Sequence, residues 1–393
     1  MVSGRLLPLW PLLRILGRAR RTALWAELKL LLNPRLFPTL YSRNRSAVQT
    51  MRETVVSSIN PQPPALFQMA TGYWLSQAIY VAAKLGLADL LKDAPKSCSA
   101  MAAATGADRQ SLFRLMRALS TAGVFAHVQN DSFSLSSAGD RLQSSVPGSL
   151  RTLVMTLGEI HYQAWGDLLH SIQTGSPAFN HVFGAGLFEY LQRNADAADT
   201  FNGGMTDVSS MLAYAVLMAY DFSRIPSIVD IGGGQGKLLR SIIQINPEIK
   251  GTVFDLEPAI EVAKQGFGSN PCTGRYSTVA GDFFESVPEG AHAYILCGVI
   301  HDWDDEHCVR ILKNCRSAMN DSGRLLLVET VVPETGANCF SKLLDLNMLV
   351  MTGGRERTKS EFCALFNAAD YKLTRIVPTM APQSVIEAIP GSV

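Results

Sequence analysis

The stretch Ser227-Ile-Val-Asp-Ile-Gly-Gly-Gly-Gln-Gly-Lys237 constrains this chain more than any other. Ile228, Val229 and Ile231 are apolar and β-branched, the composition of a strand buried on both faces of a parallel sheet. Gly232, Gly233, Gly234 and Gly236 then impose a tight turn. Leu238, Leu239, Ile242 and Ile243 follow at helical spacing until Asn246 and Pro247 stop the run. Strand, glycine turn and helix are the nucleotide-binding start of a doubly wound α/β sheet. Glycine is needed because the backbone must turn sharply and admit a ligand where a Cβ would stand.

A dinucleotide fingerprint reads G-x-G-x-x-G. Here the pattern is G-x-G-x-G, with Lys237 in the sixth place. That departure favours S-adenosylmethionine over NAD, because no pyrophosphate has to be cradled. Further strands are expected at 252–255, 278–280, 293–297, 324–329, 371–377 and 384–389, with helices between them. Right-handed crossovers place the carboxyl ends of the parallel strands on one edge. Asp255 lies 23 positions after Gly232, at the end of the second strand, where a carboxylate can accept both ribose hydroxyls of an adenosine ligand. Asp282 closes the third strand, where it can accept from the adenine amine or from neighbouring backbone. The plainer reading of a strand-end Asp is a helix cap.

His301-Asp302-Trp303-Asp304-Asp305 follows the fourth strand and so also sits at the ligand edge. Asp304, Asp305 and Glu306 crowd the first turn of the next helix, and Lys313 and Arg316 its end, as the helix dipole prefers. Cys308, Ile311, Leu312, Cys315 and Met319 form its inner face. An imidazole at its ordinary pKa of about 6.5 can accept the proton of a phenol near about 10 as the oxygen attacks a methyl group. Glu329 and Glu356 could orient the ring and stabilise the imidazolium, as a buried carboxylate does in a catalytic triad. A surface or capping histidine is the alternative. No metal is expected, since Asp304, Asp305 and His307 read as one solvated helix turn.

The chain has 393 residues, room for two domains. A net charge of +1 with 18% charged residues carries no global signature of a nucleic-acid or acidic partner. The charge is uneven, however. Residues 1–60 hold ten basic residues against Glu27 and Glu53, a balance of +8 that leaves −7 for the remainder. Leucine, tryptophan and arginine interleave there. Three readings stay open: basic amphipathic helices in peripheral contact with a membrane, an extension packed on its own domain or a sister subunit, or a transit peptide, for which serine is scarce. Residues 6–13, with Pro8 and Pro11, fall far short of the roughly twenty apolar residues that span a bilayer. Pro61, Pro63 and Pro64 close the extension. Seven cysteines without metal or disulfide spacing suit a reducing, intracellular compartment. The expected location is cytoplasmic, with membrane association left open.

Residues 65–145 read as helices followed by a hairpin. Leu112, Leu115, Met116 and Leu119 share one helix face, and Asn130-Asp131 turns between 124–128 and 133–135. This is a winged-helix order. DNA binding through Arg109, Arg114 and Arg117 is one reading, and a dimerisation module using the same fold is the favoured one. Residues 146–226 are helical and aromatic-rich, mostly core, with some side chains at the mouth of a pocket.

Taken together, Val229-Asp-Ile-Gly-Gly-Gly-Gln-Gly236, Phe254-Asp-Leu256, Gly281-Asp-Phe-Phe284, His301-Asp-Trp-Asp-Asp-Glu-His-Cys308, Ile311-Leu-Lys-Asn-Cys315 and Gly353-Gly-Arg-Glu-Arg-Thr358 resemble the class I S-adenosylmethionine-dependent O-methyltransferases. The nearest group is that of caffeic acid and acetylserotonin O-methyltransferases, and the resemblance spans about residues 65–390. It implies a Rossmann-like catalytic domain, an N-terminal winged-helix dimerisation domain and a homodimer. It puts the catalytic histidine at His301 with support from Glu329 and Glu356. Cofactor contacts fall on Gly232, Gly234, Asp255, Leu256, Asp282 and Phe283, and on Phe201, Met205 and Ser209. Trp165, Asp302, Asn347, Met348 and Met351 match acceptor-facing positions. Where relatives carry Lys or Arg shortly before the histidine, this chain has Cys297 and Gly298.

The expected organisation is an extension at 1–60, a winged-helix-like dimerisation domain at 61–175 and a catalytic domain at 176–393. The expected activity is methyl transfer to a phenolic or enolic hydroxyl of a small apolar secondary metabolite. The rivals are a ligand-sensing DNA-binding regulator and a membrane-surface enzyme acting on a lipophilic, carotenoid-like hydroxyl.

Overall fold

The computed structural model describes residues 65–267, 274–320, 322–336 and 340–391. The basic extension of residues 1–60, with its membrane, packing and transit readings, lies outside them. Helix α1 (Ala65–Ala70) belongs to a first unit that ends at Gly72, and a second unit runs from Tyr73 onward. Among the described residues no helix is long and apolar enough to cross a membrane.

Helices α2 (Gly72–Lys84) and α3 (Leu87–Leu91) are followed by β1 (Lys96–Ser97), α4 (Cys98–Thr105), α5 (Arg109–Thr121), β2 (Phe125–Gln129) and β3 (Ser132–Leu135). The three strands form an antiparallel sheet in the order β1-β3-β2. Ser97 and Asp108 cap α4 and α5 by accepting from the backbone N–H groups of Ala100 and Ser111. Leu112, Met116 and Leu119 pack with Leu87, Met101 and Phe133 in one core. The helices and hairpin fall where the sequence places them. Strand β1 is new, two residues being too few to carry a pattern. Arg109 pairs with Asp131 at 2.9 Å and Arg117 lies over the Phe113 ring, so two of the three arginines considered for phosphate are engaged within the domain.

A helical layer follows: α6 (Arg151–Thr156), a π-turn at Leu157–His161, α7 (Tyr162–Trp165), α8 (Leu168–Thr174), α9 (Ala178–Phe183), α10 (Leu187–Arg193) and the long α11 (Ala195–Ala219). Ile160, Ala164, Phe179 and Leu187 of this layer share an apolar cluster with Val350 and Met351.

The rest alternates. It runs β4 (Ser227–Ile231), α12 (Lys237–Ile245), β5 (Lys250–Asp255), α13 (Glu257–Phe267), β6 (Tyr276–Ala280) and β7 (Ala293–Cys297), then a 3-10 turn at Ile300–Asp302 and α14 (Asp305–Ala318). After these come β8 (Arg324–Val332), α15 (Ser341–Met351), β9 (Arg357–Thr358), α16 (Lys359–Ala368), β10 (Tyr371–Pro378) and β11 (Gln383–Pro390). The sheet order is β10-β11-β8-β7-β4-β5-β6, with β9 paired to β8. Strands β4 to β8 run parallel, and β11 and β10 close the far edge antiparallel. Val229, Ile231, Tyr294, Leu296, Leu325 and Leu327 pack with α14 and α16. Ile228, Ala293, Ile295, Leu326 and Val328, one register step away, pack with α11 and α12. Helices on both faces explain why these strands read as unbroken apolar runs.

Candidate active site

From β4 the strands step outward through β5 to β6, and from β7 they step the other way to β8. The order therefore reverses between β4 and β7, and in an open α/β sheet the ligand crevice lies beyond the carboxyl ends of two such strands. The loops there are the glycine turn and the His301 turn. They touch. Gly232 has φ 64°, and a Cβ on it would stand 2.8 Å from Val299 Cγ2. Gly234, at φ 53°, borders open space.

Asp255 ends β5, the next strand along. Its carboxylate accepts from Gly234 N at 2.8 Å and from Leu256 N at 2.7 Å. Burial raises its pKa while these two N–H groups draw it back down. The Phe283 ring reaches the Gly232 turn and meets Phe284 and Trp303 edge-on. Asp282 Oδ1 accepts from Phe284 N at 2.8 Å, so one oxygen of this exposed carboxylate holds neighbouring backbone in a turn and no helix follows for it to cap.

His301 sits in the 3-10 turn after β7 with 22% of its side chain exposed. Its Nδ1 is 3.1 Å from Glu356 Oε1 and 3.5 Å from Glu329 Oε2, and both carboxylates are buried. Glu329 Oε1 accepts from Val299 N at 3.0 Å and Ile300 N at 2.9 Å. The glutamate on β8 thus braces the backbone of the turn, and the glutamate beside β9 holds the ring. Each leaves one buried oxygen without a hydrogen bond, which concentrates negative charge on the imidazole.

Burial alone would lower the His301 pKa, but the charges of Glu329, Asp302 and Glu356 outweigh it and raise it to about 10. This corrects the expectation of an ordinary imidazole: the carboxylates make the neutral ring a stronger base. Burial pushes Glu329 up to about 7 and raises Asp302 as well. With Nδ1 turned to the carboxylates, Nε2 is the nitrogen left for an acceptor. Because carboxylate charge holds the ring's pKa up, Glu329→Gln and Glu356→Gln are each expected to bring it down toward about 6.5. The neutral ring is the basic form, so the rising limb of kcat/KM against pH should move to lower pH in both variants. Limbs that coincide with the unsubstituted enzyme's would show that another group titrates.

Residues 165–372 match the O-methyltransferase domain, and residues 67–145 match the O-methyltransferase dimerisation domain. The chain belongs to the O-methyltransferase family. It is 42% identical over 330 residues to a phenazine O-methyltransferase of Lysobacter antibioticus, which covers 84% of this chain and 97% of that protein. A phenazine-1-carboxylate N-methyltransferase of Pseudomonas aeruginosa is 34% identical over 312 residues, 79% of this chain and 92% of its own. The crystal structure of human N-acetylserotonin methyltransferase in complex with S-adenosylmethionine superposes with a TM-score of 0.78 at 28% identity, covering 84% of this chain and 97% of that one. The family read from the motifs is therefore borne out, and the enzyme is an S-adenosylmethionine-dependent O-methyltransferase.

The crevice of this O-methyltransferase fits that methyl donor. Gly234 leaves room above the turn. An ionised carboxylate offers about four acceptor sites, and Asp255 spends two on its own backbone, so two remain for ribose hydroxyls. Leu256 is 53% exposed beside it. Phe201, Met205 and Ser209 recur every four residues on α11, all half-buried. Lys237 Nζ donates to Ser210 Oγ at 3.1 Å, so α11 passes the end of the glycine turn.

On the acceptor side, Trp165 Nε1 donates to Asn347 Oδ1 at 2.9 Å. Asn347 and Met348 are half-buried on α15, whereas Met351 is 1% exposed inside the apolar cluster and shapes this side from within. Asp302 lies in the 3-10 turn, where burial raises its pKa and the neighbouring His301 only partly offsets this. Cys297 is half-buried at the end of β7, and burial pushes its thiol well up, so it supplies no charge at this strand end.

Some site residues escaped the sequence. Glu356 N donates to Asp345 Oδ1 at 3.0 Å, and Arg357 is buried against the His301 turn. A lone helical aspartate gives no warning of such a role. Two groups of described residues bring possible metal ligands within 4.8 Å: His301 with Glu329 and Glu356, and Asp167 with His170 and His181. The carboxylates of the first serve the ring and the turn. In the second the imidazoles stack 4.1 Å apart with 6° between planes, so their lone pairs run parallel instead of converging on an ion.

Proposed function

We propose that this O-methyltransferase methylates a phenolic or enolic hydroxyl on a small, flat, apolar secondary metabolite, with His301 as general base. The observation that carries the reading is the His301 geometry at the β4/β7 crevice: Nδ1 faces Glu356 and Glu329, and Nε2 faces away from them. S-adenosylmethionine supplies an electrophilic methyl group on a sulfonium. Nε2 takes the hydroxyl proton as the acceptor oxygen becomes nucleophilic. In its neutral form the ring, whose pKa the carboxylates raise to about 10, is matched in basicity to a phenolate, so the proton transfer carries little thermodynamic penalty. Glu356 and Glu329 hold the resulting imidazolium.

The acceptor class follows from Trp165 and Met348, which suit a planar ring, and from the phenazine in the Lysobacter relative's name. The domains divide at about 60 and 175, and the segment at 67–145 pairs two copies into a homodimer.

Incubation with labelled S-adenosylmethionine and a panel of hydroxylated and amino-substituted aromatics, with products resolved by mass spectrometry, tests the assignment. A methyl ether lost in His301→Ala is expected. An N-methyl product formed as fast in His301→Ala would overturn it, because a neutral amine needs no base before attack. Sedimentation of the full chain as a monomer at micromolar concentration would reject the homodimer.

A further inference from the structure

The turn that carries His301 is held from outside by one short strap, residues 354–357. Arg355 N donates to His301 O at 2.8 Å. Arg357 Nη1 donates to Ile300 O at 3.0 Å, and its Nη2 donates to Trp303 O at 2.9 Å. Nε and Nη2 of the same side chain reach Asp305 Oδ1, in the first turn of α14, at 3.0 and 2.7 Å. A Cβ on Gly354 would run into the His301 carbonyl oxygen, so the strap lies directly on the turn. Three carbonyls within four consecutive residues thus accept from the strap, and Glu356 stands between the two residues that donate.

Arg357 is 1% exposed. A buried charge is costly unless it is paired and hydrogen-bonded, and this one is both. Its planar fork of five donors can hold carbonyls on both sides of His301 while gripping Asp305. A lysine has a single nitrogen and cannot span them.

We propose that Arg357 is a positioning residue for the reaction. By fixing the carbonyls of Ile300 and Trp303 it sets where the His301 ring stands relative to Glu356 and to the crevice. It touches neither methyl donor nor acceptor and acts through His301, so the inference rests on the general-base reading above.

The test uses Arg357→Ala, Arg357→Lys and Asp305→Ala in the full chain. A misplacement of about 1 Å costs on the order of 10²-fold in rate, so kcat should fall by about that factor in both Arg357 variants. Asp305→Ala should lose less, in the same direction. Affinity for S-adenosylmethionine by calorimetry should hold, since the fork reaches neither Gly232 nor Asp255. The rising limb of the pH–rate profile should move to lower pH as Glu356 slackens its hold, and added guanidinium should restore part of the Arg357→Ala activity. If Arg357→Ala loses cofactor binding through misfolding, Asp305→Ala decides by its pH limb. Wild-type limbs in Asp305→Ala and Arg357→Lys, with no guanidinium rescue, overturn the proposal. Failure of the general-base reading would appear separately, as turnover surviving in His301→Ala.

Discussion

His301→Ala is expected to lower kcat by about 10²–10⁴-fold, the range a positioned general base contributes. The variant removes the ring whose Nδ1 faces the two buried glutamates and whose Nε2 is turned away from them. It should leave affinity for S-adenosylmethionine nearly unchanged, because the glycine turn and Asp255 form their contacts with each other and not with the imidazole. Calorimetry with the methyl donor, paired with single-turnover rates on a phenolic acceptor, separates the two effects. Retained turnover would remove His301 from the chemistry. Loss of both turnover and binding would mean that the ring instead supports the crevice.

Asp255→Ala is expected to show the opposite split. Hydrogen bonds to a charged group contribute about 1.5–3 kcal/mol each, and every 1.4 kcal/mol is about tenfold, so losing both ribose contacts should weaken donor affinity by about 10²–10⁴-fold. Part of that loss comes from the turn itself, since the carboxylate also accepts from Gly234 N. Turnover at saturating donor should suffer much less. Equal affinity in the variant and the parent enzyme would place the nucleoside elsewhere along the sheet edge.

Much of this site was legible before any coordinates. The glycine turn, Asp255 and the His301 loop each follow an apolar strand, and strand ends are where an α/β sheet keeps its ligands. What could not be read was protonation. The sequence shows one histidine and two distant glutamates, 28 and 55 positions away. That both carboxylates crowd Nδ1, and so move the ring from an ordinary imidazole to one titrating near about 10, depends on β8 lying beside β7 and on β9 pairing with β8. Asp282 shows the same limit. Its position at a strand end is visible in the sequence, but which partner it takes is not; one oxygen accepts from Phe284 N.

The sequence by itself determined the sheet, the turn and the residue types of the chemistry, because these depend on local pattern: β-branched runs, glycine spacing and helix caps. Only the tertiary structure decided which strands are neighbours. The reversal between β4 and β7 brings Val299 against Gly232, sets Glu329 under the His301 turn and buries Arg357 where it can donate to the carbonyls of Ile300 and Trp303. Charge and burial act across space and not along the chain, so the roles of these groups became fixed only when the sheet was ordered.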